Sequence, residues 1–405
     1  MSYSSYPTIA RCLLETLPKT LCDQYHKRLD NNSEFEGLDL DSDTANALLH
    51  VDEYIKVVIE DIPKFSNTSS HQADYKKLEQ CFLISFIMAS LEMEGTWPGE
   101  ASTNYINQML QIRIDQGEHS ILETPSFFPY GCYWHAEGKE NDFNQTGMQL
   151  SAHLLAYWHL CRPLNLASDA ILTVQLLNET HARLLKSAYS SRNNQFGKLR
   201  TTSVISFTSC VNEPPHIFPP SELVPQLLQG AVDRYNSRRL NRTGVIASPL
   251  ALACSLFYEV VDIHPFENGN GRLARLLFAY SLMRDGFPFP VPLQCSTDAA
   301  RTFCLEAIER VRFNRVGHPI GVPAPSLKLS CESYRPESLD HLVQLGLYSM
   351  FSMTSNLETL MNMHLDDKDQ SKVLSLSYCY MSNASMNSQA SVVYVKISNI
   401  SIYSC

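Results

Sequence analysis

Two apolar helical runs joined by a short polar turn, between Pro249 and Tyr280, constrain this chain more than any other feature. The first run, over 249–261, has Ser248 as its expected N-cap and Pro249 at its first helical position. Leu252, Leu256, Phe257, Val260 and Val261 recur along it at helical spacing. Pro265 predicts its end, because a proline nitrogen cannot donate to a helix. The second run opens at about Gly271 and sets Leu273, Leu276, Leu277 and Tyr280 on its inner side.

The turn between them, His264-Pro265-Phe266-Glu267-Asn268-Gly269-Asn270-Gly271, is where chemistry is expected. Gly269 and Gly271 admit backbone angles closed to other residues. A glycine turn that feeds a helix start gathers free N–H donors and the positive end of a helix dipole, which suits an anion. Arg272 and Arg275 stand three apart on the first turn of that helix, so at least one can reach the same anion and grip a phosphate with both arms. Positive side chains there oppose the dipole by roughly 0.3–1 kcal/mol, so a pair of them implies a negatively charged ligand. His264 closes the other side of the turn and is a candidate general base.

Composition removes several alternatives. With 44% apolar and 18% charged residues in 405, the chain is ordinary for a globular protein of one large core or two modest ones. A net charge of -10 and the lack of a basic run argue against general nucleic-acid binding. The longest apolar stretches, around 81–91 and 245–258, fall short of the roughly 18 residues of a membrane span. The first residues have neither a basic start nor an apolar segment, so no secretory signal is expected. The twelve cysteines stand singly, without C-x-x-C spacing, which favours reduced thiols and a cytoplasmic or nuclear compartment.

Residues 264–275 resemble the signature of the Fic (Fido) family, H-P-F-x-[D/E]-G-N-G-R-x-x-R, at every specified position except the fifth. A pattern with so many fixed positions is far more specific than a lone glycine motif. The resemblance implies an all-α Fic fold with a short β-hairpin flap, and an enzyme that transfers AMP from ATP to a Ser, Thr or Tyr hydroxyl of a protein substrate. On that implication His264 accepts the hydroxyl proton, while Gly269, Asn270, Gly271, Arg272 and Arg275 hold the phosphates and Phe266 anchors the loop in the core. The family's fifth position carries an acid that holds Mg²⁺ or Mn²⁺. Here it is Asn268, whose amide oxygen lacks the full charge that helps bind a hard cation, so weaker metal binding is expected.

Upstream, 75–95 reads as a helix apolar on nearly all sides through Cys81, Phe82, Leu83, Ile84, Phe86, Ile87 and Met88, hence buried. It ends in Ser90-Leu91-Glu92-Met93-Glu94-Gly95. Gly95 suits a left-handed cap, and Glu94 then faces the negative end of the dipole, a placement that wants a cation. Ser90, Glu94 and Gly95 resemble the family's inhibitory motif, [S/T]-x-x-x-E-[G/N]. The resemblance implies that Glu94 pairs with Arg275 and occupies the place of the ATP γ-phosphate.

The flap is expected at 195–207, where Gly197 marks a turn and residues 202–207 alternate in a β-prone run that includes Val204, Ile205 and Ser206. An open edge there suits the addition of a strand from another chain. Gly197 and Arg200 match the family's G-x-[YF]-R-x-x-x-V arrangement, with Leu199 in the aromatic place. A proline-rich connector then leads into a helix over 222–239. Before the flap, helices are expected at 149–160 and 169–187, with His181 as a packing histidine. The segment 96–146 reads as an insertion, with a helix at 101–116 followed by irregular chain in which Trp134 and His135 are packing residues and 137–145 is a polar run.

The organisation expected is a helical extension over 1–74, a catalytic domain over 75–320 and a C-terminal extension over 321–405, with a helix at 297–312 completing the core. Three other functions fit the same residues. The pocket would serve transfer of UMP or phosphocholine, it would serve removal of AMP from a target, or, with the metal position weakened, it would bind a nucleotide without turnover. Exposed apolar helix faces leave a homodimer open.

Overall fold

The computed structural model describes residues 72–94, 140–167, 169–186, 196–206, 216–240 and 248–293, with individual positions between 304 and 311 and between 339 and 350. Its helices are α1 (Gln72–Glu92), α2 (Glu140–Leu160), α3 (Pro163–Leu166), α4 (Val174–Lys186), α5 (Val224–Leu240), α6 (Pro249–Ile263) and α7 (Asn270–Arg284). The strands β1 (Ile205–Ser206) and β2 (His216–Ile217) pair antiparallel, Ile205 opposite Ile217 and Ser206 opposite His216. A single 3-10 turn, Ser221–Leu223, leads into α5. The all-α class and the small two-stranded addition agree with the expectation from sequence.

Helix α7 is the centre of the bundle, packed by α1, α2, α3, α4 and α6. It is buried almost all round, from Leu273 to Leu282, and α6 is buried from Leu250 to Tyr258. Two helices with so little exposed surface cannot be stable alone; each supplies the apolar wall of the other. Helix α1 closes one side with Phe82, Ile84, Phe86, Ile87 and Leu91, and Phe82 stacks on Phe289 at 4.8 Å. Helices α2 and α4 pack together over α7 through Leu150, Leu154, Leu177 and Leu184. Further along the chain, the Cys254 thiol donates to the Leu342 carbonyl, and Gly346 lies so close to α6 that a Cβ there would sit 2.8 Å from Leu250.

Several boundaries move. Helix α2 begins at Glu140, so part of the polar run at 137–145 is helical, where an irregular segment was expected. The lack of an apolar repeat at its beginning hid that part, because periodicity reports only helical stretches with a buried stripe. Helix α4 starts at Val174, with Asp169 in the turn before it. Ser248 holds the N-cap position by its backbone, accepting Leu252 N–H at 2.9 Å, while its side chain makes no capping bond. The expectations for 1–71, 101–116, Trp134, His135 and 371–405 lie outside the described residues, as does Gly95.

Candidate active site

Helix α6 ends in His264, whose φ of 50° and ψ of 60° are left-handed, a conformation that disfavours any residue with a Cβ. The strain, on the order of 1–3 kcal/mol, persists only where the surroundings over-determine it. Arg200 supplies that surrounding. Its Nε donates to the His264 carbonyl at 2.6 Å, Nη2 to the Pro219 carbonyl at 2.5 Å and the Ile263 carbonyl at 3.3 Å, and Nη1 to the Thr202 carbonyl at 2.8 Å. Its own backbone N–H donates to the Pro265 carbonyl at 2.9 Å. A guanidinium at the carbonyl end of a helix also answers the negative end of the dipole. One buried arginine thus joins the start of the flap, its far end and the residue expected to act as base.

On its ring face His264 meets Phe218, with centroids 4.1 Å apart. Phe218 follows β2 and donates its N–H to the Val204 carbonyl at 3.2 Å, so the paired strands deliver it. The imidazole is half-buried, with one face covered by an aromatic ring.

The turn beyond is stapled from within. Asn270 is 2% exposed and accepts the Phe266 N–H at 3.0 Å while donating back to the Phe266 carbonyl at 2.8 Å. Phe266 is fully buried and stacks on His181 at 3.7 Å. Gly269 takes φ of 76° as the N-cap of α7. A Cβ on Gly271 would lie 3.1 Å from Glu94 Oε1 and 3.3 Å from Arg275 Nη1, so the bare backbone there leaves space that an anion fills.

That anion is Glu94. Its Oε1 accepts from Arg275 Nη2 at 2.6 Å, and its Oε2 lies 3.9 Å from Arg272 Nε. Arg275 is aimed by Ser90, donating from Nε to the hydroxyl at 2.9 Å and from Nη2 to the carbonyl at 2.9 Å. Ser90 and Glu94, four residues apart, therefore grip one guanidinium from the end of α1. Beneath the arginines lies His153, edge-on to Phe86 at 5.9 Å. Burial, with the charges of Arg275 and Arg272, holds its pKa well below the ordinary histidine value. A neutral ring there spares the site a third positive charge.

Asn268 is exposed, and its side-chain oxygen accepts the N–H of Gly269 at 2.7 Å. Among the described residues no group of three or more His, Cys, Asp or Glu side chains is placed to hold a metal ion. A single neutral amide oxygen already engaged by the backbone does not make a site for a hard divalent cation. Among the described residues the turn offers a helix start and two arginines that suit an anion, and its one amide oxygen does not by itself fit a metal.

The structure therefore gathers Ser90, Glu94, Arg200, His264, Phe266, Gly269, Asn270, Gly271, Arg272 and Arg275 around one helix start, and attaches Gly197, Val204, Ile205 and Ser206 to it through the flap backbone. Sequence reasoning missed three contributors: Phe218, His153, and His181 as more than packing. An aromatic just before Pro219-Pro220, where the flap returns, was the available signal for Phe218.

A buried helical pair joined by a glycine turn, with the Glu94 carboxylate at the second helix start and a two-stranded flap beside it, makes a helical domain with an anion held at one helix N-terminus. Residues 171–282 match the model of the Fic/DOC family. The chain is 42% identical over 82 residues to a Fido domain-containing protein of Dictyostelium discoideum, spanning 20% of this chain and 55% of that one. It is 36% identical over 117 residues to a protein named protein adenylyltransferase Fic from Nematostella vectensis, spanning 29% of this chain and 24% of that one. The chain thus spans about half, or less, of the length of these relatives. In fold it is similar to a Fic domain containing signaling protein of Bacteroides thetaiotaomicron, with TM-score 0.50 and 17% identity over 75% of this chain and 96% of that one.

Proposed function

We propose that this protein transfers AMP from ATP to a hydroxyl side chain of a target protein and that Glu94 restrains the transfer. The observation that carries the reading is the carboxylate of Glu94 seated at the start of α7, against Arg275 and beside Gly271. A site that holds one anion between two buried arginines and a helix N-terminus is suited to the β- and γ-phosphates of ATP when that carboxylate withdraws. Relatives named protein adenylyltransferase support the choice of AMP transfer.

In the reaction His264 accepts the proton of the target hydroxyl, whose oxygen forms a bond to the α-phosphorus while the bond to the bridging oxygen breaks and pyrophosphate leaves. Arg272 and Arg275 hold the departing charge, and Arg200 keeps His264 at its left-handed position throughout. The flap edge offers a strand-pairing surface that would set the target residue over the site. Mg²⁺ or Mn²⁺, if used, would be carried mainly on the phosphates of ATP, with Asn268 adding little.

The test is mass spectrometry of the protein and a cell extract after incubation with ATP, for wild type, Glu94→Gly and Glu94→Gly/His264→Ala. AMP adducts that increase in Glu94→Gly and vanish in the double variant support the proposal. Adducts that decrease in Glu94→Gly overturn the restraining role, and an adduct pattern indifferent to His264→Ala removes the base.

A further inference from the structure

His181 stands in the middle of α4 with no surface to speak of and contacts three different parts of the site. Its Nε2 lies 2.9 Å from the carbonyl oxygen of Asn268, its Nδ1 accepts the N–H of Gly197 at 3.0 Å, and its ring lies flat on Phe266, 8° from parallel. The carbonyl can only accept and the amide can only donate, so Nε2 carries the proton and Nδ1 is bare. Burial lowers the pKa to about 4, which keeps the ring in that neutral state at ordinary pH.

One partner, Gly197, sits at left-handed backbone, and the other, Asn268, stands directly before a left-handed glycine. Gly197 has φ of 77°, and a Cβ on it would come 2.6 Å from the Asn178 carbonyl on α4, so the flap turn is seated on the helix as closely as backbone allows. Gly269, directly after Asn268, has φ of 76°, and a Cβ there would meet Leu185 at 3.1 Å and His181 Nε2 at 3.4 Å. A packing residue needs neither bond, and leucine would fill the volume. A residue whose two nitrogens each satisfy one fixed backbone group, on two segments separated by about seventy residues of sequence, sets the distance between those segments.

We propose that His181 is a positioning residue that ties the target flap to the nucleotide turn, one ring nitrogen serving each, so that the two halves of the site can be loosened separately. The proposal rests on the AMP-transfer reading for its functional meaning, but not for its geometry. Glutamine puts its amide nitrogen near the place of Nε2 and keeps the bond to Asn268, while asparagine puts its oxygen near the place of Nδ1 and keeps the bond to Gly197.

The test uses the full chain with Glu94→Gly, alone and with His181→Gln or His181→Asn. Three quantities are read: affinity for a non-hydrolysable ATP analogue by calorimetry, hydrogen exchange of the Gly197 amide, and AMP labelling. His181→Gln should leave analogue affinity within about twofold while Gly197 exchange accelerates about tenfold, and labelling should fall through kcat with KM for ATP unchanged. His181→Asn should do the reverse, weakening the analogue about tenfold and raising KM with Gly197 still protected. Equal effects of the two variants on both quantities, or no effect on either, overturn the proposal. If the crossed pattern in binding and exchange appears while no variant is labelled, the tie stands and the AMP-transfer reading falls.

Discussion

Replacing Glu94 by glutamine keeps the shape of the side chain and removes the charge that faces Arg275 and Arg272. The wild-type contact is short, 2.6 Å, and the Arg275 side chain is 8% exposed, but Glu94 keeps 25% of its surface in solvent. Breaking a fully buried pair costs about 3–5 kcal/mol, and partial exposure of Glu94 reduces this to about 2 kcal/mol. Two consequences of opposite sign follow. The folded protein should lose about 2 kcal/mol of stability, because two buried arginines at a helix start face each other and the dipole with no counter-anion. Nucleotide affinity should rise about thirtyfold, because the same energy no longer has to be given up when phosphates enter. Urea unfolding and calorimetry with an ATP analogue measure the two, and the analogue should restore the lost stability in proportion to its occupancy. A stability loss with nucleotide affinity unchanged would mean that the Glu94 carboxylate does not occupy phosphate space.

Gly197→Ala should destabilise the protein by about 2–3 kcal/mol in urea unfolding, from the left-handed backbone and the close Asn178 carbonyl together; a cost under half of that would mean the flap turn lifts off α4 without penalty. Arg200→Lys should cost about 3 kcal/mol, since one ammonium cannot reach the carbonyls of Thr202, Pro219, Ile263 and His264 at once, and exchange of the Phe218 amide should accelerate with it. His181 has a folded pKa of about 4, below the ordinary 6.5, so the unfolded chain takes up more protons between those values. Its contribution is complete above pH 6.5 and is lost as pH falls toward 4, an expected drop of about 3 kcal/mol that His181→Gln should remove from the stability profile.

The parts of the site that were legible in the sequence are those whose backbone chemistry is local. Pro265, Gly269 and Gly271 mark the end of one helix and the start of the next wherever they occur, and Arg272 and Arg275 follow by helical spacing. Ser90 and Glu94 share a face by the same arithmetic, and in the fold they meet one arginine. Roles that depend on groups brought from afar were not legible. Arg200 matched a motif letter, but its four carbonyl partners are defined only when the flap lies on the end of α6. His181 has the burial of a packing residue, and only the positions of Asn268 and Gly197 show that both nitrogens are engaged. His153 lies on a helix whose pattern marks only packing, and Phe218, just past β2, left no more signal than an aromatic before Pro219-Pro220. The beginning of α2 escaped notice for the opposite reason: its first residues are polar, and helix without an apolar stripe leaves no trace in a pattern search.

AMP transfer under restraint by Glu94 leaves a signature in which phosphate of ATP reaches the target. Parallel incubations of wild type and Glu94→Gly with ATP labelled at the α-phosphate or at the γ-phosphate test it most directly. Protein-bound label is expected from the α-position only, stronger in Glu94→Gly and absent when His264→Ala is added. Label from the γ-position would contradict AMP transfer by indicating phosphoryl transfer, and no α-label from Glu94→Gly with bound nucleotide would leave a site that binds ATP without transferring AMP.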